Sequence, residues 1–268
     1  MASGSTVISP AAILAPPNPI RICFKEAKYE FLKALRFPIY FVSTVIVPLM
    51  FYVLFGLVMG RQSIGGLTAA AYLIPAYGTF GVMGASLFGT AAGLAGDRGM
   101  GWLLVKKASP MPAYAYFLAK MVMSLIFSTI DVLMLLVLGV AFGGVHIAPI
   151  TAMKLVLTLI CGAIPFYAMG LAIGYFATPT SAPAVINLFY LPMSFCSGLW
   201  MPIIYLPHFI QKIGLFLPPY HLAQLAFAQV GASMGGSQVL HWESLIGFTL
   251  ICLGVAWGGH QRDQKVNG

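Results

Sequence analysis

Apolar residues run in long blocks from Phe37 almost to the last residues of the chain, with short segments rich in glycine, proline and charge between them. A helix of about 20 apolar residues matches the hydrocarbon thickness of a bilayer, so blocks of this length read as crossings. The pattern predicts spans at roughly 38–60, 69–95, 116–142, 151–177, 182–202 and 243–259. The expected fold is therefore an all-α membrane protein with about six transmembrane helices, because helices satisfy every backbone group within the lipid. Before the first block the period changes. Asn18 and Pro19 suit a helix start, and Ile20, Phe24, Ala27, Phe31 and Leu35 form one stripe over 20–37. Arg21, Lys25, Lys28, Glu30, Lys33 and Arg36 lie mostly on the other side. This predicts an amphipathic interfacial helix, which Pro38 turns into the first span.

Residues 1–19 lack a basic segment and are broken by prolines, so they read as a flexible cytoplasmic tail rather than a signal peptide. Between spans 5 and 6 the chain stays apolar, yet Pro202, Pro207 and the Pro218-Pro219 pair stop any single straight helix. This predicts short helical re-entrant or interfacial pieces over 202–221. Small residues recur one turn apart at Ala85, Gly89 and Gly93, at Gly170 and Gly174, and at Gly254 and Gly258. Such faces suit close helix approach, either within the bundle or at a dimer seam.

Composition sharpens the picture. Sixty per cent of the residues are apolar and 7% are charged, too few charges to coat a soluble domain. The net charge of +8 comes mainly from basic residues flanking apolar runs, so it implies topology rather than a nucleic-acid partner. With the N-terminus inside, eleven lysines and arginines fall on the cytoplasmic side, and only Arg61, Lys154 and Lys212 fall outside. That bias places both termini, including the tail 261–268, in the cytoplasm of a cell (inner) membrane. The spans and their connections form one transmembrane domain over 38–260.

Little in the sequence carries chemistry. The four cysteines are scattered, with no metal-ligand spacing. His208, His221 and His241 share the outer segment, but their spacing is irregular and no carboxylate cluster joins them, so no metal site is expected. No Ser-His-Asp or paired-carboxylate arrangement is legible. Asp131 is the exception. An ionisable group in the middle of span 3 is either functional or hydrogen-bonded to hold two helices together. The cytoplasmic segment 96–113 combines Asp97-Arg98, three glycines and a short helical run, with Trp102, Leu103 and Val105 expected at the surface. Apolar residues rimmed by lysines mark a docking surface, although tryptophan also anchors helices at the lipid interface.

The ordered pattern Arg98-Gly-x-Gly-Trp-Leu, Ser109-Pro-Met-Pro112, Ser197-Gly-Leu-Trp-Met-Pro202, Leu206-Pro207 and Leu217-Pro-Pro-Tyr220 resembles the membrane subunit of type-2 ABC exporters. That group includes drug, antibiotic and polysaccharide export permeases. Many members carry glutamate where this chain has Asp97. The resemblance implies that 96–113 is a coupling element seated in a groove of a separate ATPase, with Asp97, Arg98, Trp102, Leu103 and Lys106 at the contact. The chain carries no G-x-x-x-x-G-K-[ST] phosphate loop, so ATP and Mg would be bound by the partner and no cofactor by this chain. Two ATPase copies and a second permease, identical or paralogous, complete the expected assembly. Phe80, Phe88, Phe189, Tyr190, Phe195 and Trp200 would line a path for a hydrophobic or amphipathic cargo such as a drug, lipid, antibiotic or lipid-linked glycan, though packing explains the same aromatics. A gradient-driven secondary transporter and a sensing or scaffold subunit are the competing readings.

Overall fold

The computed structural model describes residues 19–36, 40, 42–58, 62–64, 66–108, 111–233 and 236–267. The N-terminal tail up to 18, the turn at Pro38, Arg61 and Ser109-Pro110 lie outside them. The chain opens with α1 (Pro19–Leu35). Consecutive helical pieces Val42–Ile46, Val47–Phe51 and Tyr52–Leu57 form α2, whose first and last pieces are wound in wide π-helical turns. A hairpin of Ser63–Ile64 with Leu67–Thr68 follows, turned by Gly66 at φ +84°. The Thr68 hydroxyl then accepts from the Ala71 amide and caps α3 (Ala69–Gly99).

The α3 helix is the axis of the molecule. Nearly every residue from Ala69 to Leu87 is buried, because small residues alternate with large ones all around it. A wide turn over Phe88–Ala92 interrupts it. After Gly101, at φ +72°, come α4 (Trp102–Ala108) and the long α5 (Ala113–Ala141). The next apolar block is two helices, α6 (Pro149–Cys161) and α7 (Ile164–Phe176). The expected span 151–177 is thus broken near Gly162, where Pro165 removes a backbone donor. A side chain at Gly162 would meet Leu222 Cδ1 at 2.1 Å, so a later helix packs into that break.

The helix α8 (Ala182–Cys196) stops short of the expected residue 202, because Gly198 takes φ +75° and the Leu199 amide turns back to the Ser194 carbonyl. A single turn at Ile203–Tyr205, α9 (His208–Gly214) and α10 (Pro218–Gln229) make up the outer segment. Most of α10 is buried, and it runs past the expected limit of 221. The last helix, α11 (Gln238–Asn267), continues through most of the segment expected as a tail.

Four helical stretches are long and apolar enough to cross a membrane: Ala69–Gly99, Tyr114–Ala141, Pro149–Phe176 and Gln238–Lys265. Thr44–Leu57 and Ala182–Cys196 are apolar but shorter. The Gly170 and Gly174 pair packs within the chain, since side chains there would meet Thr90 and Leu94 Cβ at 2.9 Å. By contrast, Gly254 and Gly258 on α11 face open space. All four cysteines are free.

Candidate functional site

The end of α3, α4 and the start of α5 meet α1 in a knot of opposite charges. The Asp97 carboxylate accepts from Lys33 Nζ at 2.6 Å and from the Tyr116 hydroxyl at 2.7 Å, and lies 2.9 Å from Lys120 Nζ. Lys120 also donates to Glu30 at 3.0 Å, while Lys106 donates to Glu26 and to Glu30. The Tyr116 ring lies under both lysine ammonium groups, at 4.4 and 4.9 Å from its centroid. Three carboxylates and three ammonium groups thus neutralise one another. Burial works to lower the Lys33 ammonium, yet the bond and charge of Asp97 hold it above its ordinary 10.5.

This arrangement places α1 differently from a simple amphipathic picture. Its polar side is not all turned to water: Glu30 and Ala34 are buried against the protein. Ile20 and Phe24 are exposed.

Arg98 takes a separate part. Its guanidinium donates to Asp263 at 2.8 and 3.0 Å and to the carbonyls of Gly174 and Tyr175 at 3.0 and 2.7 Å. The carbonyls are end groups of α7, which lack intrahelical donors. One arginine thereby ties the ends of α3, α7 and α11 together. Tyr175 adds a bond to His260 Nδ1 at 2.9 Å.

Of the residues expected to meet an ATPase, Asp97, Arg98 and Lys106 therefore spend their charges inside the chain. Leu103, expected at the surface, is buried with Leu94, Tyr116, Tyr167, Leu171 and Tyr175. What points outward is an apolar face of Met100, Trp102, Leu104 and Val105, with Trp102 52% exposed. The short helix α4 turns Leu103 under it as its anchor, which leaves its neighbours on the outer side. Glu26, Glu30 and Asp263 were not among the residues expected at the site, although they are half of the chain's six acidic residues and stand among basic neighbours.

Five of the six expected path aromatics come together. Phe80 stacks on Tyr190 with centroids 4.6 Å apart, Phe88 meets Tyr190 edge-on at 5.8 Å, and Trp200 touches Phe80 and Phe195. Phe51 joins at 5.3 Å from Trp200. Phe80 and Tyr190 are buried in this cluster. Phe189 stands apart on the outer side of α8, lining an open cleft with Met169, Phe176, Phe248 and Val255.

Asp131 is wholly buried, and neither carboxyl oxygen has a hydrogen-bond partner within the chain. Gly81 of α3 makes room for it, since a Cβ there would fall 1.8 Å from Oδ2.

In the outer segment His221 and His241 face each other with Nδ1 atoms 2.9 Å apart. No cluster of three or more metal-ligating side chains occurs among the described residues. Burial pushes the His221 imidazole below its ordinary 6.5, and the neighbouring His241 adds to this. A histidine kept neutral in the fold stabilises it above the unfolded value and loses that contribution as pH falls through the folded one. Thermal unfolding in detergent should therefore show a midpoint that drops as pH falls below about 6.5. The drop should flatten in His221→Gln; an equal pH slope in that variant would contradict the pairing.

The comparisons with known proteins fit this geometry. The family model described as ABC-2 type transporter matches residues 23–229, a range from the first helix through α10. A Bacillus subtilis (strain 168) protein named "Putative transport permease YvfS" is 26% identical over 222 residues, which are 83% of this chain and 89% of that one. With most of α1 and everything from α2 through α10 inside the matched range, this chain belongs to the ABC-2 type transporter family.

Proposed function

We propose that the chain is the membrane-spanning permease subunit of an ATP-driven exporter that moves a hydrophobic or amphipathic cargo out of the cytoplasm or inner leaflet. The observation that carries this reading is the outward apolar face of α4, set on a framework of ion pairs that reaches α1, α5, α7 and α11. An exposed Trp-Leu-Val patch on a rigid mount suits a partner that pushes on it. The chain has no phosphate loop of its own, so two copies of a separate ATPase would bind ATP and Mg and supply the force. A second permease copy, identical or paralogous, completes the assembly.

The six crossings of this proposal are the four long helical stretches together with Thr44–Leu57 and Ala182–Cys196. In this reading both termini lie in the cytoplasm of a cell membrane, and α1 rests at the inner interface with Ile20 and Phe24 in the lipid. ATP-driven closure of the ATPases would shift α4, and the charge knot would pass that shift to α1 and α5.

The test is co-purification of the tagged chain in mild detergent, with ATPase retention measured for Trp102→Ala. An ATPase should co-elute with the wild type, and the variant should retain it about tenfold less well or worse, as for a central interface aromatic. Arg98→Ala is a poorer probe, because it also unfastens α11. If no nucleotide-binding protein co-elutes in any detergent, a gradient-driven transporter becomes the better account.

A further inference from the structure

A line of buried polar groups runs up α5 where it packs on α3. Lys120, Ser124, Ser128 and Asp131 follow one another at helical spacing, so they share one face, and each is fully buried. They cover about 16 Å at about 1.5 Å rise per residue. Across the seam, the Ser124 hydroxyl donates to that of Ser86 on α3 at 3.4 Å. Ser128 Oγ and both Asp131 oxygens have no protein partner. Beyond Asp131 the face turns apolar, with Val132 and Leu135 buried. The seam is thus polar from its cytoplasmic end to Asp131 and closed above it.

Its lower end, at Lys120, borders a cavity. A cavity of about 170 Å³ lies between α1, α3 and α5, lined by Glu30, Lys33, Gly89, Gly93, Lys120 and Met123 among others. Lys33 on its rim is 47% exposed. Water reaching this cavity touches Lys120, one turn below Ser124.

We propose that Asp131 is a proton-binding site, loaded from the cytoplasmic side through this cavity and along the serine seam. The ligand is a proton because the surroundings suit no other cation. One carboxyl group and one serine hydroxyl offer too few oxygens for a metal ion, and a lone carboxylate without a counter-charge is neutralised most cheaply by taking up hydrogen. The titratable group facing it from α8 is Tyr190, whose hydroxyl already donates to the Phe80 carbonyl at 3.2 Å. Its facing residue on α3 is Gly81, which brings no charge. On α5 the one lysine is Lys120, engaged with Glu30 and Asp97.

The transfer balances without redox chemistry. Hydronium in the cavity gives a proton to the first acceptor of the seam. Each hydroxyl binds a proton on its oxygen and releases its own to the next, and the Asp131 carboxylate becomes a carboxylic acid. Return of the proton reverses every step. Gaps of one helical turn between Ser124, Ser128 and Asp131 are the span of a single bridging water, for which Ser128 and Asp131 offer unused polar atoms.

The experiment is infrared spectroscopy of the purified full chain in lipid nanodiscs during transfer into D2O. A protonated-carboxyl band should be present, should shift on exchange, and should be missing in Asp131→Asn. Exchange should slow by about three- to tenfold in Ser124→Ala and in Ser86→Ala, the scale of one relay hydrogen bond. Ser124→Thr, which keeps the hydroxyl and tests that slowing does not follow from altered packing alone, should exchange near the wild-type rate. A spectrum in which Asp131→Asn removes no band overturns the proposal. So does exchange at the wild-type rate in both alanine variants, which would leave Asp131 a buried acid with another access. These readouts need no ATPase and no cargo, so they fail or succeed independently of the exporter reading.

Discussion

Replacing Lys120 with alanine should destabilise the protein by about 3–5 kcal/mol, the scale for removing one partner of a buried ion pair. The Lys120 side chain is 1% exposed and meets two carboxylates, Glu30 at 3.0 Å and Asp97 at 2.9 Å. Taking away the ammonium leaves both acids in a low-dielectric pocket with weaker support, Asp97 from Lys33 and Glu30 from Lys106. The cost comes from stranding those charges and exceeds what the pair itself contributes against water. Lys106→Ala is the control. Its side chain is 22% exposed and Glu30 keeps Lys120 when it is removed, so the loss should be closer to about 1 kcal/mol. Thermal or denaturant unfolding in detergent measures both. Equal midpoints for Lys120→Ala and wild type would mean that the knot is held by packing and not by charge. Because the knot joins α1 to α4 and α5, the proposed exporter function further predicts that Lys120→Ala uncouples ATPase activity from transport after reconstitution with the ATPase.

The second large effect is expected at Gly81. A Cβ there would fall 1.8 Å from Asp131 Oδ2 and 2.5 Å from its Cγ, well inside van der Waals contact. Asp131 is fully buried on the side of α5 that packs on α3, so the carboxyl must shift against Tyr190 or the backbone of α3 to make room. Gly81→Ala should therefore cost about 1–3 kcal/mol, the range for overpacking a full core, despite the better helix propensity of alanine. The double variant Gly81→Ala with Asp131→Ala removes the clash, and the two changes should be less harmful together than their sum by about 1 kcal/mol or more. Additive losses would show that Gly81 tolerates a methyl group and that its role is unrelated to the carboxyl.

Much of the fold was legible before any coordinates. The apolar blocks located α3, α5, α6, α7, α8 and α11 to within a few residues at most ends, because helix period and bilayer thickness are local constraints. The breaks were less visible. Gly162 with Pro165 divides one block into two helices, and α8 ends at Cys196 inside an apolar run that reads as continuous. In both places the turn is stabilised by what packs on it, Leu222 at the first and Ile203 at the second. Leu222 comes from distant sequence, while Ile203 folds back from just beyond the turn.

The candidate site divides in the same way. That 96–113 exposes its tryptophan followed from residue types, and the structure has Trp102 outward. Which charges would be spent inside the chain did not follow. Asp97 and Lys120 are separated by a glycine turn and a short helix, and Glu30 reaches them from the far side of the first span. An ion pair depends on two side chains arriving at one depth with the right rotamers, which helical spacing within one segment cannot state. Leu103 shows the same limit: its apolar character suited surface or core equally, and only the placement of α3, α5 and α7 around α4 turned it inward. The sequence by itself determined that this chain is a multi-pass membrane protein and that it carries no phosphate loop for ATP, since these depend on composition and local motif. The tertiary structure alone decided that Asp131 stands unpartnered at the head of a polar seam and that the charges of α1, α3, α4 and α5 cancel one another, because both are relations between helices far apart in the chain.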